Sequence, residues 1–160
     1  MNKLIVSPSP HDENYFKTHS IMLQVILALM PALLAAIYIF GWRVIPLTAI
    51  CVGSCILFEY LSRRLMKRPN TISDMSAAVT GVILAMNLPV TTPYWMAVIG
   101  SFVAIVIVKQ LFGGIGQNFA NPAITARIVL MVGFPTINHW IKPLEYDYDA
   151  VSSATPLVLA

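Results

Sequence analysis

Charge is what this chain has least of. Only 11% of its 160 residues are Asp, Glu, Lys or Arg, and 58% are hydrophobic. A soluble domain carries roughly a quarter charged residues, so a mean hydropathy of +0.75 excludes that class and indicates a membrane protein. Acids are scarcer still, at seven. Those nearest the apolar runs, Glu59 and Asp74, stand at segment ends. Glu59 is therefore expected to snorkel to the headgroups. A sodium site built here would then draw on backbone carbonyls, hydroxyls, amides or another subunit. Two cysteines, Cys51 and Cys55, exclude a disulfide framework and a complete metal site. Four residues apart, they share a helix face. Packing at a helix contact is the reading preferred over half of an iron–sulfur site completed by a partner. No cleavable signal peptide is evident, because Met1 to Ser20 is polar and no A-x-A site follows the first apolar run. The basic residues gather at the ends of apolar runs, so a pI near 9.0 does not indicate nucleic acid.

What is present is a series of apolar segments. Residues 1–20 read as a polar arm in which Ser7-Pro8-Ser9-Pro10 is expected to be extended or turn-like. Residues 21–134 read as the membrane domain. Ile21 to Phe40 is long enough to span a hydrocarbon core of about 30 Å, with Pro31 expected to kink it. Gly41-Trp42-Arg43 is a tight turn with Trp42 as an interfacial anchor, and Val44 to Tyr60 returns. Arg63, Arg64, Lys67 and Arg68 fit a cytoplasmic loop better than a dedicated binding surface. Met75 to Leu88 is a short third segment, with Ser73 or Asp74 as its N-cap and a small-residue face at Ala77, Ala78, Gly81 and Ala85. Tyr94 to Val108 is a fourth span despite its β-branched content, closed near the headgroups by Lys109 and Gln110. Pro122 to Phe134 is a fifth, with Pro122 in its first turn. Arg127, one turn inside, is either a site residue at depth or a snorkelling helix-end residue. The expected fold is all-α: a polytopic bundle of about five transmembrane segments.

Between the fourth and fifth spans lies Gly113-Gly114-Ile115-Gly116-Gln117-Asn118-Phe119-Ala120-Asn121. Polar, non-helical backbone at membrane depth needs burial in protein or a hydrated cavity. Such Gly/Pro-interrupted stretches point to binding sites. A plain interhelical loop is the alternative reading.

The basic residues set the topology. With the N-terminus inside, Lys3, Lys17, Arg63, Arg64, Lys67, Arg68 and Lys109 are cytoplasmic, seven in all. Arg43 and Lys142 are outside, which makes two. Residues 135–160 then form an extracytoplasmic segment and the start of a next helix. His139 lacks a spaced ligand partner. The apolar Pro156 to Ala160 reads as the opening of a further span, and hence as part of a longer protein. An odd number of crossings would invert any second copy, a common plan in transporters.

The segment Asp149-Ala150-Val151-Ser152-Ser153-Ala154-Thr155 carries the chemistry. Alone, it reads as a Ser/Thr cap before a helix starting at Pro156. Together with Leu111 to Asn118, Asn121-Pro122-Ala123, and Val79-Thr80-Gly81 through Asn87-Leu88-Pro89, it resembles the D subunit of Rnf-type ferredoxin:NAD⁺ oxidoreductases. A more distant likeness is to the B subunit of the sodium-pumping NADH:quinone oxidoreductase. The resemblance covers nearly the whole chain. In that family an Asp-x-x-Ser-Gly-Ala-Thr motif carries FMN through a phosphate bond to the threonine. Thr155 takes that position, with Asp149, Ser152, Ser153 and Ala154 around it; Ser153 replaces the usual glycine.

The resemblance implies a bacterial inner-membrane subunit, inactive alone, that relays electrons and contributes to Na⁺ or H⁺ translocation. Its implied fold is one half of an inverted-repeat, urea-transporter-like architecture. Its partners would be the iron–sulfur and flavin subunits, the bilayer, and a flavin transferase for maturation. A second, non-covalent riboflavin-like flavin is also implied. Gly113, Gly114, Gly116, Asn118 and Asn121 are candidates to wall it, and Tyr146, Tyr148 and Trp140 are candidates to stack on the FMN ring. Rival readings are a subunit of the quinone-reducing pump, a non-redox solute channel of the same fold, and a scaffold subunit.

Overall fold

A computed structural model describes residues 18–68, 72–118 and 120–138. Five helices account for most of them. Helix α1 spans Thr18–Phe40 and α2 Val44–Leu65. Both are long and apolar enough to cross a membrane. Helix α3 is Ser76–Asn87. Helix α4, Tyr94–Phe102, runs on as a π-helix over Val103–Gln110. Helix α5 is Pro122–Gly133. Short 3₁₀ turns cover Ile72–Asp74 and Pro135–Asn138.

Local chemistry explains the element ends. Gly41 closes α1 with φ +82°, a left-handed value that costs glycine little, and its N–H donates to the Ile37 carbonyl at 2.9 Å. The chain then turns directly into α2, which extends five residues beyond the expected Tyr60. The N-cap expected at Ser73 or Asp74 is not formed. Those residues lie in the 3₁₀ turn, and Met75, at φ +57°, occupies the cap position with no side-chain hydrogen bond. At α5 the expected first turn forms, and a side-chain cap that was not expected precedes it. Pro122 sits in the first turn, and Asn121 Oδ1 accepts from the N–H groups of Ala123 at 3.0 Å and Ile124 at 3.4 Å.

Helix α2 is the centre of the packing and touches α1, α3, α4 and the π segment. The main core gathers Leu47 and Cys51 of α2, Leu84 and Leu88 beside α3, Met96 and Ala97 of α4, and Ala126 and Leu130 of α5. Cys51 and Cys55 are fully buried free thiols, as a helix-contact role requires. Among the described residues no group of three His, Cys, Asp or Glu is placed to hold a metal. By contrast, α1 buries no residue. Leu27, Leu34, Leu65 and Val132 are widely exposed. Such faces suit a bilayer, where apolar side chains need not be hidden from water.

Gly81 is the closest point between α2 and α3. A Cβ there would lie 2.7 Å from Val52 Cα. Backbone cannot yield as a side-chain tip can, so Gly81→Val should destabilise the fold by about 1–3 kcal/mol. Gly53→Ala, in open space on α2, should be neutral or slightly stabilising. Thermal unfolding of the two variants in detergent checks the contrast. Equal midpoints would contradict it.

Candidate functional site

Leu47, Cys51, Cys55 and Glu59 recur every four residues and lie on one face of α2. All are buried, and Glu59 is 0% exposed. The carboxylate expected at the headgroups is therefore inside the bundle. The π segment delivers its partner. Lys109 Nζ donates to Glu59 Oε1 at 2.9 Å, to Oε2 at 3.0 Å and to Ser76 Oγ at 2.7 Å. Gln110 Nε2 donates to Glu59 Oε1 at 3.2 Å. Lys109 and Gln110 are themselves buried, so their expected place near the headgroups is also corrected. Burial is tolerable because the two charges meet and the three ammonium protons are all used.

The π-helix is part of this arrangement. Its wide turns are rare and frequent at functional sites. Here it runs through a β-branched sequence and ends with Leu111 N–H donating to the Val106 carbonyl at 3.1 Å. Neither the π geometry nor the ion pair was foreseen from the sequence. The four-residue stripe from Leu47 to Glu59 was the signal that could have found the acid.

Beside the ion pair is a cavity of about 180 Å³. Ser76 and Thr80 of α3, Lys109, Asn118 and Asn121 supply its polar lining, with Met22 of α1 on its wall. Asn118 Oδ1 is buried with no hydrogen-bond partner. Ser76 Oγ, by accepting from Lys109, keeps its own proton free to donate. Asn121 spends its oxygen on the α5 cap, which leaves its amide N–H₂. The cavity thus holds both acceptors and donors next to an ion pair.

Of the residues singled out in the sequence, Asn118 and Asn121 come together at this cavity. The three glycines shape the turn instead of lining it; Gly113 and Gly114 have φ of +117° and +107°. Arg127 is half-buried in the middle of α5. Its Nη1 donates to the Asn87 carbonyl at 2.6 Å and meets Asn87 Oδ1 at 3.4 Å, tying α5 to the end of α3. Asp149, Ser152, Ser153, Ala154, Thr155, His139, Trp140, Tyr146 and Tyr148 lie outside the described residues.

Comparison with known proteins decides the family. A family model described as NQR2, RnfD, RnfE matches residues 5–160. The chain belongs to that family. Its match includes the glycine-rich stretch, the cavity asparagines and Thr155. Among curated relatives, the chain is 50% identical over 159 residues to the D subunit of the Na(+)-translocating ferredoxin:NAD(+) oxidoreductase complex of Acetobacterium woodii. That alignment covers 98% of this chain and 49% of the relative. It is 41% identical over 148 residues to the D subunit of an ion-translocating oxidoreductase complex of Haemophilus influenzae, covering 91% of this chain and 41% of the relative. A Yersinia enterocolitica protein of the same name is 40% identical over 185 residues, covering 95% and 53%. The chain spans about half the length of the curated relatives it matches. As a member of the NQR2, RnfD, RnfE family it is a membrane protein, in keeping with its two long apolar helices.

Proposed function

We propose that the chain is part of the D subunit of an ion-translocating ferredoxin:NAD⁺ oxidoreductase complex, with FMN bound covalently at Thr155 and a second, non-covalent flavin whose ring edge enters the cavity at Asn118. The observation that carries the covalent claim is the motif Asp149 to Thr155 inside a family match that reaches residue 160. The observation that carries the second is the unpartnered, buried Asn118 Oδ1 in a lined cavity.

A flavin supplies one- and two-electron redox chemistry; the protein supplies position and electrostatics. Asn118 would accept from a ring N–H, while Ser76 and the Asn121 amide would donate to ring carbonyls. Lys109, paired with Glu59, sets a fixed ion-pair dipole at the cavity wall. Gly113, Gly114 and Gly116 fold the turn that delivers Asn118. At the other site Thr155 provides the hydroxyl oxygen for a phosphoester, and Asp149, Ser152, Ser153 and Ala154 present it to the attaching enzyme.

The proposed domain plan is an arm at 1–20, a membrane domain at 21–134 and a flavin-attachment segment at 135–160. That membrane domain would be one half of an inverted-repeat, urea-transporter-like fold. With Lys109 and Arg63 buried, the cytoplasmic count falls from seven to five against two outside, so the proposed orientation keeps the N-terminus inside and Thr155 outside. Iron–sulfur and flavin subunits are the proposed partners, and Na⁺ or H⁺ the translocated ion.

Acid precipitation of the full-length subunit tests the two-flavin reading. One flavin should stay with the pellet and one should leave in the supernatant. Asn118→Leu should lower affinity for the released flavin about tenfold or more, the worth of one buried hydrogen bond lost against an orphaned partner. An unchanged supernatant flavin in that variant would contradict the cavity assignment.

A further inference from the structure

We propose that Arg63, lying against the Gly113-Gly114 turn, is a binding site for a phosphate group, supplied in the membrane by the headgroup of an anionic phospholipid. This goes beyond the flavin reading and does not depend on it. Arg63 is 7% exposed, and its Nε is buried with no hydrogen-bond partner. Among the described residues Glu59, four positions before Arg63 on α2, is paired with Lys109. A buried guanidinium N–H without an acceptor is unfavourable, and an anion at the site removes that penalty.

The guanidinium rests directly on this turn, since a Cβ on Gly114 would lie 2.6 Å from Arg63 Nη2. Arg68 reaches the same turn, with Nη1 donating to the Gln110 carbonyl at 3.3 Å. Arg64, Lys67 and Arg68 are exposed beside it, at the end of α2. A planar guanidinium fork matches two phosphate oxygens. Four cations in six residues suit the charge of a headgroup layer better than one carboxylate from a neighbouring subunit. Basic pockets at the cytoplasmic ends of membrane helices bind anionic headgroups in this way. Leu61, Leu65 and Leu111, all exposed, are apolar surface at the same level for acyl chains.

The test uses the full-length subunit in its complex, stripped of lipid in detergent and titrated with phosphatidylglycerol or phosphatidylcholine under native mass spectrometry. The wild type should retain phosphatidylglycerol selectively. Arg63→Gln should weaken that binding about tenfold, the loss of one charge-assisted hydrogen bond. Arg63→Lys should be intermediate, and Arg64→Gln, which removes the same charge from an exposed position, nearly unchanged. Equal losses at residues 63 and 64 would overturn the proposal in favour of diffuse surface charge. Retention of inorganic phosphate with no lipid would overturn the lipid source. A wild type with no preference for phosphatidylglycerol would overturn the proposal even if Arg63→Gln failed to fold, since it would leave a protein carboxylate as the partner.

Discussion

Lys109→Met should cost the protein about 3–5 kcal/mol of stability, the usual result of removing one partner from a buried ion pair. Methionine fills a similar volume, so the loss is electrostatic and not a cavity effect. It leaves Glu59, fully buried, without its ammonium partner, while Gln110 Nε2 still donates to it. Ser76 also loses the ammonium that its hydroxyl accepts from. The double variant Glu59→Gln/Lys109→Met removes both charges and should recover most of the loss, because neutralising a whole buried pair is often nearly neutral. Unfolding of the full-length subunit in detergent reads both variants. A single variant as stable as the double one would show that the pair is not buried in the assembled protein.

Thr155→Ala is expected to have the largest functional effect. It deletes the hydroxyl to which the phosphoester would be made, so no covalent flavin should form at all. Ferredoxin-dependent reduction of NAD⁺ in membranes should fall to background while the subunit still assembles with its partners. Ser153→Gly, which restores the family's usual residue, should keep the flavin. Electron transfer that survives Thr155→Ala would place the relay elsewhere.

The helices were legible because apolar runs bounded by Gly, Pro and charge leave few alternatives. Ile21 to Phe40 and Pro122 to Phe134 were found within a few residues of α1 and α5. Pro122 announced the start of α5 through first-turn chemistry, and the Asn121 cap is a finding of the structure. What failed depended on partners distant in sequence. Glu59 looked like a segment-end residue because α2 was expected to stop at Tyr60; its extension to Leu65 puts Glu59 inside the helix. Its neutralisation comes from Lys109, fifty positions away in the chain, which no local pattern reports. The π turns of Val103–Gln110 likewise have no periodic signature in a uniformly apolar run. Gly81 was read as part of a small-residue face, and the close approach to Val52 bears that out. Asn118 and Asn121 stood out for their polarity in an apolar setting, and both line the cavity.

The central claim is a flavin bonded to Thr155, and in-gel fluorescence of the denatured full-length subunit tests it most directly, in cells that contain the flavin-attaching enzyme. A fluorescent band should survive denaturation in the parent and be absent in Thr155→Ala. A parent band without fluorescence, or one that persists in the alanine variant, would contradict it.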